Sequence, residues 1–216
     1  MKKCFIICAG EFTELWHTIS AEDILIAADG GLKHLDNLPL VPDVILVSKA
    51  IGGTQPMSVV VYNKALDKWQ PGSHAGTFRG NQLAMRAGTV VMNRVSKPEF
   101  LAEVVRKGDY LRAKLEELKA KVSIIGDIRG KGLMSGCEFV DPNGAPDAIG
   151  SLPASGEIAA LVQKKCFENK LIMEKGGRHG SVMRCLCALN VSDAELDTMI
   201  DIFSKVVTEV DADVKK

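Results

Sequence analysis

Three short apolar runs, residues 4–9, 24–28 and 44–47, constrain the fold more than any other feature of this chain. Each is strand-length. The segments between them, residues 11–19 and 31–38, have helical spacing, and Pro39 and Pro42 close the second. Short apolar strands alternating with short helices predict a βαβαβ unit and therefore a parallel sheet, here expected over residues 1–65. Right-handed crossovers put ligands at the carboxyl ends of such strands. Gly10, Asp29 and Lys49 fall at those ends.

Lys49 stands out among the three. It follows the run Val44-Ile45-Leu46-Val47-Ser48, read as a buried strand, and precedes Ala50-Ile51-Gly52-Gly53. Burying an ammonium is costly unless it is paired or neutralised. Desolvation lowers a lysine's pKa and makes its amine a nucleophile, as covalent attachment to a carbonyl requires. The other reading of the same pattern is a lysine that snorkels to the surface from a strand end. Spacing alone leaves both open.

Composition narrows the function classes. Lys+Arg and Asp+Glu each number 27, so no basic surface for nucleic acid and no acidic tail is expected. The six cysteines form no paired CxxC pattern and sit mainly in apolar segments, as reduced core cysteines do, so no metal site is expected. The N-terminal apolar run is too short for a signal sequence and no segment is long enough to span a membrane, which makes a reducing cytoplasm the expected location.

Further along, residues 57–62 form another β-rich run and residues 72–81 a polar loop punctuated by glycine. Residues 82–94 read as a helix carrying small residues Ala84, Ala87 and Gly88. A long helix is expected from Pro98 to about Lys121, with Leu101, Val104, Val105, Leu111, Leu115 and Leu118 at helical spacing. Residues 128–140 read as a glycine-rich turn leading into a strand. Ser155 is placed to cap a helix through residue 169, and residues 171–174 and 182–186 read as strands around Gly176-Gly177-Arg178-His179-Gly180. Ser192-Asp193-Ala194-Glu195 is a capping-box pattern opening a last helix to about Val210, with a frayed end after it. Residues 122–216 are therefore expected to form a separate small α+β domain.

Several ordered motifs carry a resemblance. They are Pro42-Asp43-Val44-Ile45 with Ser48-Lys49-Ala50-Ile51-Gly52-Gly53, Trp69-Gln70-Pro71-Gly72, and Gly76-Thr77-Phe78-Arg79-Gly80-Asn81-Gln82. Downstream follow Asp127-Ile128-Arg129-Gly130-Lys131-Gly132-Leu133-Met134 and Gly176-Gly177-Arg178-His179-Gly180. From about Val41 onward the sequence resembles the class III, fold type I, pyridoxal-phosphate aminotransferases and, within that class, the diaminobutyrate–2-oxoglutarate transaminases. The resemblance implies an α/β fold: residues 42–121 would be the C-terminal part of a large cofactor domain, a parallel-rich sheet with helices, and residues 122–216 a small C-terminal α+β domain. It also implies pyridoxal 5′-phosphate as cofactor, an amino acid and a 2-oxo acid as substrates, and a homodimer.

The resemblance assigns roles residue by residue. Lys49 matches the lysine that holds the cofactor as a Schiff base and then moves a proton. Thr77 matches a residue that binds the cofactor phosphate from a neighbouring subunit, a role suited to a hydroxyl among glycine N–H groups. Without the resemblance Thr77 reads as a loop cap. Arg184 matches an arginine that grips the substrate α-carboxylate, for which a planar guanidinium is suited. Alone it reads as a strand arginine on a solvated face. Where the family writes two prolines after that arginine segment, this chain has Cys187-Ala188.

Residues 1–46 resemble a different family. Cys4-Phe5-Ile6-Ile7-Cys8-Ala9-Gly10, Ala28-Asp29-Gly30-Gly31 and Val41-Pro42-Asp43 are similar to the N-terminus of thiamine pyrophosphokinase, without that family's aspartate-rich magnesium segment. The chain reads as a join of two families, lacking the long N-terminal half of a transaminase. Asp29 ends a strand of the form that carries the aminotransferases' pyridine-pairing aspartate, and equally begins an Asp-Gly-Gly turn. The expected function is amino transfer from a diamino acid such as 2,4-diaminobutyrate to 2-oxoglutarate. A thiamine pyrophosphokinase-related activity and a non-catalytic interaction fragment are the alternatives.

Overall fold

The computed structural model describes residues 4–7, 24–27 and 41–215. Asp29 and the two expected helices before Pro39 lie outside them. The chain packs into two compact units that divide between Lys97 and Pro98.

The first unit holds a four-stranded sheet in the order β1-β2-β3-β4, with β1 Cys4–Ile7, β2 Ile24–Ala27, β3 Val44–Val47 and β4 Val59–Tyr62. β1, β2 and β3 are parallel, as the alternation predicts. β4 is not. It runs antiparallel to β3, pairing Val44 with Tyr62 and Val47 with Val59. Between Val47 and Val59 the chain has only a single 3₁₀ turn, Lys49–Gly52, and no crossover helix, so it reverses rather than returning parallel. β3 is also less enclosed than a buried strand: Leu46 is exposed and the others are half-buried.

Helix α1, Gln82–Val95, is capped by Asn81, whose Oδ1 accepts from the Ala84 N–H at 3.1 Å. Its buried residues are Ala84 and Gly88. A methyl group built on Gly88 would lie 2.9 Å from the Met57 sulfur and 3.1 Å from the Ile51 carbonyl oxygen. One on Gly52 would lie 2.9 Å from Met57 Cβ. The small residues read from the sequence thus let helix, turn and Met57 approach without a gap.

The second unit comprises α2 Pro98–Lys119, β5 Ile125–Lys131, β6 Met134–Phe139, α3 Gly156–Glu168, β7 Glu174–Gly176, β8 Val182–Leu186 and α4 Asp193–Val214. Its sheet is wholly antiparallel, in the order β5-β6-β8-β7. The helices cover one face, and a core of Leu111, Leu115, Phe139, Val162, Met183, Leu196, Phe203 and Val206 fills the space between. The Phe139 and Phe203 rings meet edge to face, centroids 6.5 Å apart.

Several details depart from the sequence reading. α2 packs on β5, β6 and α4 and so belongs with the second unit, not before a boundary at residue 121. The close approach is at Gly108, where an added methyl would sit 2.3 Å from the Gly132 carbonyl oxygen. Leu101 and Val105, read at the same helical spacing, are exposed, because the buried stripe of α2 runs through Gly108, Leu111, Leu115 and Leu118. The glycine-rich run Asp127-Ile128-Arg129-Gly130 is part of β5 itself, and the turn is the tight reversal at Gly132, with φ 57°. The strand expected at residues 171–174 is β7, which begins only at Glu174.

The end of α4 is not frayed after Val210. The capping box at Ser192 and Glu195 opens it as read, but it continues to Val214 because Asp211 is anchored. The Asp211 carboxylate is buried and accepts from the Ser123 N–H and Oγ, both at 2.7 Å, and from Lys215 at 2.5 Å. Burial alone would push its pKa up, but the bonds from Lys215 and Ser123 outweigh burial and hold it below the ordinary aspartate range. This contribution to stability is present above the unfolded pKa, about 4, and disappears as pH falls through the lowered folded value. Asp211→Ala is expected to cost about 1–3 kcal/mol in urea unfolding at neutral pH, because two Ser123 donors lose their acceptor. The loss should shrink in acid, and equal losses at neutral and strongly acidic pH would contradict this role.

Candidate active site

The site is built from the end of β3. Ser48 is extended, and Lys49 then turns into the left-handed region with φ 57°. For a non-glycine residue that conformation costs about 1–2 kcal/mol and persists only where surrounding structure imposes it. The imposing structure is the next two residues. Ile51 and Gly52 are buried under α1, the Gly53 N–H donates to the Ala50 carbonyl at 3.0 Å, and the Gln55 N–H donates to Gly52 at 3.0 Å. The lysine is exposed, which matches the surface reading of the strand-end pattern and not the buried, desolvated amine. The burial belongs to Ile51 and Gly52, and Lys49 stays exposed at the start of the strained turn.

Thr77 lies in the same unit, in the exposed loop before α1. It is the second residue of a turn closed by the Arg79 N–H donating to the Gly76 carbonyl at 3.1 Å. Gly72 and Gly80 bracket the loop with φ of 84° and 70°, conformations that side chains disfavour. Its base is supported by ring contacts of Trp69 with His74 at 4.9 Å and with Tyr62 at 6.3 Å. An exposed hydroxyl and turn amides just ahead of a helix N-terminus suit a phosphate. α1 links the two features, since its start follows the Thr77 turn and its middle holds the Lys49 turn.

Arg184 is in the second unit, on β8, on the sheet face away from the core. It stands opposite Gly136 of β6 and Glu174 of β7. Glu174 Oε1 accepts from Arg184 Nη2 at 2.6 Å. Arg184 Nε is buried and has no hydrogen-bond partner. A groove of about 440 Å³ beside them is lined by Leu171, Glu174, Arg184, Leu186, Cys187 and Met199, among others. On β5 of the same face, Arg129 is held by Asp127 at 2.6 Å and Glu138 at 2.7 Å. Glu174 is a residue the sequence reading missed; its signal is only the cross-strand register with Arg184, which needs the fold.

The buried cysteines of this unit are held in the neutral thiol form. Burial pushes the Cys137 thiol well above its ordinary value, Cys166 up to about 11 and Cys185 up to about 12. Among the described residues no cluster of three or more His, Cys, Asp or Glu could hold a metal ion, and no helix is long and apolar enough to cross a membrane.

Comparison with known proteins gives this geometry a context. The family described as aminotransferase class-III matches residues 27–207. A protein of Rhizobium meliloti named diaminobutyrate–2-oxoglutarate aminotransferase is 49% identical over 172 residues, covering 80% of this chain and 37% of its own length. One of the same name from Haemophilus influenzae is 42% identical over 181 residues, covering 83% of this chain and 40% of its own. Among solved structures, the ornithine aminotransferase of Toxoplasma gondii, described with partial occupancy of PLP at its active site, superposes with a TM-score of 0.71. It is 25% identical and covers 90% of this chain and 45% of its own. The chain spans about two-fifths of the length of the curated relatives it matches.

The strain at Lys49 is directly measurable. Lys49→Gly is expected to raise stability by about 1 kcal/mol in urea unfolding, because glycine occupies the left-handed region freely. A loss of stability on this substitution would mean that the turn is not strained by Lys49.

Proposed function

This chain belongs to the class III aminotransferases, and from that membership we propose that it serves amino transfer from a diamino acid of the 2,4-diaminobutyrate type to 2-oxoglutarate. The names of its relatives support the choice of substrates. The observation that carries the chemistry is Lys49, a lysine held on a strained turn at the carboxyl end of the third parallel strand.

Class III aminotransferases are pyridoxal-phosphate enzymes. The donor set of the first unit fits that group: an amine for its aldehyde at Lys49 and a hydroxyl in a turn of exposed backbone for its phosphate at Thr77. When bound, the cofactor supplies an electrophilic carbonyl and an electron sink for charge left on the donor's α-carbon.

Everything else falls to the chain. Lys49 would hold the cofactor through its amine and, when free, would move the proton from the donor's α-carbon to the carbon of the cofactor's aldehyde group. The rigid packing of Ile51 and Gly52 under α1 fixes where that amine can swing. Arg184 orients the donor by its α-carboxylate. Thr77 reaches the phosphate of a second copy, so the working assembly is a homodimer. Asp29 remains the proposed partner of the pyridine nitrogen, and it lies outside the described residues. The likeness of residues 1–46 to thiamine pyrophosphokinase is likewise a proposal, about origin and not activity; residues 1–26 precede the family match.

Purified chain titrated with pyridoxal phosphate is expected to develop a visible absorption band that is absent in Lys49→Ala. With 2,4-diaminobutyrate and 2-oxoglutarate it should form glutamate. No band at saturating cofactor would overturn the reading. A band without glutamate would leave a cofactor-binding fragment that does not catalyse transfer.

A further inference from the structure

The Arg184 guanidinium does not stand free on its strand. It lies against the backbone of Gly176 on β7. A methyl built on Gly176 would come within 2.9 Å of Arg184 Nη2, 3.4 Å of Cζ and 3.6 Å of Nε. Gly176 does not need to be glycine for its own backbone, which is outside the left-handed region, so the space it leaves serves the arginine. The consequence is orientation. With Nε buried and without an acceptor, the side-on edge of the guanidinium is closed. Nη2 is engaged by Glu174, and 41% of the side chain remains exposed. A carboxylate can therefore reach this arginine only at its Nη end, and it meets a carboxylate already there.

We propose that β7 seats the carboxylate-binding arginine: Gly176 is a positioning residue that turns the Arg184 guanidinium end-on, and Glu174 is an internal carboxylate that a substrate carboxylate must displace. The inference rests on the reading of Arg184 as the carboxylate-binding residue and extends it to two residues of a different strand. It also gives a reason for the register. Glu174 and Arg184 are directly opposed in β7 and β8, so the pair forms with little rearrangement, and Gly176, two residues on, is on the same face of the sheet. A single exposed pair of this kind adds little to stability, so its removal should register mainly in ligand affinity.

The full chain, titrated with 2-oxoglutarate by calorimetry and by ¹⁵N NMR of the arginine Nε–H groups, tests this. Gly176→Ala is expected to shift the Arg184 Nε–H resonance and weaken 2-oxoglutarate binding about ten-fold, the loss of one well-placed charge-assisted hydrogen bond. The melting temperature should hold, because the atoms in the way are the far end of a flexible side chain. Glu174→Gln should instead tighten binding by removing the competitor. Arg184→Gln separates the two levels of the argument. If it leaves 2-oxoglutarate affinity unchanged, or the parent chain binds none, the carboxylate role of Arg184 falls and this inference with it. If Arg184→Gln abolishes binding while Gly176→Ala keeps both affinity and resonance, or Glu174→Gln weakens binding, that role stands and the seat is refuted.

Discussion

The close contact of α1 with the turn after β3 is the constraint on which the candidate site depends. Gly88 touches Met57 and the Ile51 carbonyl, and Gly52 touches Met57, with no room for a further carbon. This packing fixes Ile51 and Gly52, and fixing them forces Lys49 into a conformation it would not choose. The strain is small beside the burial that imposes it, and it directs an amine outward from a rigid support. A lysine on an ordinary loop would sample many directions, whereas this one is aimed by a helix two elements away.

The second unit separates stability from chemistry by sheet face. The inner face, with its buried thiols, aliphatics and the Phe139–Phe203 contact, is inert. The outer face carries Arg129, Arg184, Glu138 and Glu174, with Gly136 opposite both arginines and Gly176 leaving space for the Arg184 guanidinium. The glycines at 136 and 176 weaken strands intrinsically. Their placement on the face with the paired arginines indicates what the lost strand propensity is exchanged for.

Much of this was legible in residues alone. The parallel run of β1 to β3, helix α1, the caps at Ser155 and Ser192, and Lys49 at a strand end all follow from local pattern, because strand length, helical spacing and capping chemistry are local properties. The choice between a buried and an exposed Lys49 was left open by local pattern, since it depends on which neighbours of the lysine α1 covers. The reversal into β4 was hidden because a β-rich run does not declare its direction. Asp211 looked like part of a charged tail, and only the distant Ser123 makes it an anchor. The Glu174–Gly176–Arg184 arrangement was invisible for the same reason: it exists in the register between two strands, and no spacing within either one encodes it.

The central claim is that the residue aimed by this packing is the one that bonds covalently to the cofactor. Borohydride reduction of the chain after mixing with pyridoxal phosphate, followed by peptide mass mapping, tests it most directly. The account predicts one dominant pyridoxyl adduct, on Lys49, that forms at stoichiometric cofactor and is not replaced by another lysine in Lys49→Ala. Label spread over the surface lysines, with Lys49 no more reactive than the rest, would contradict it.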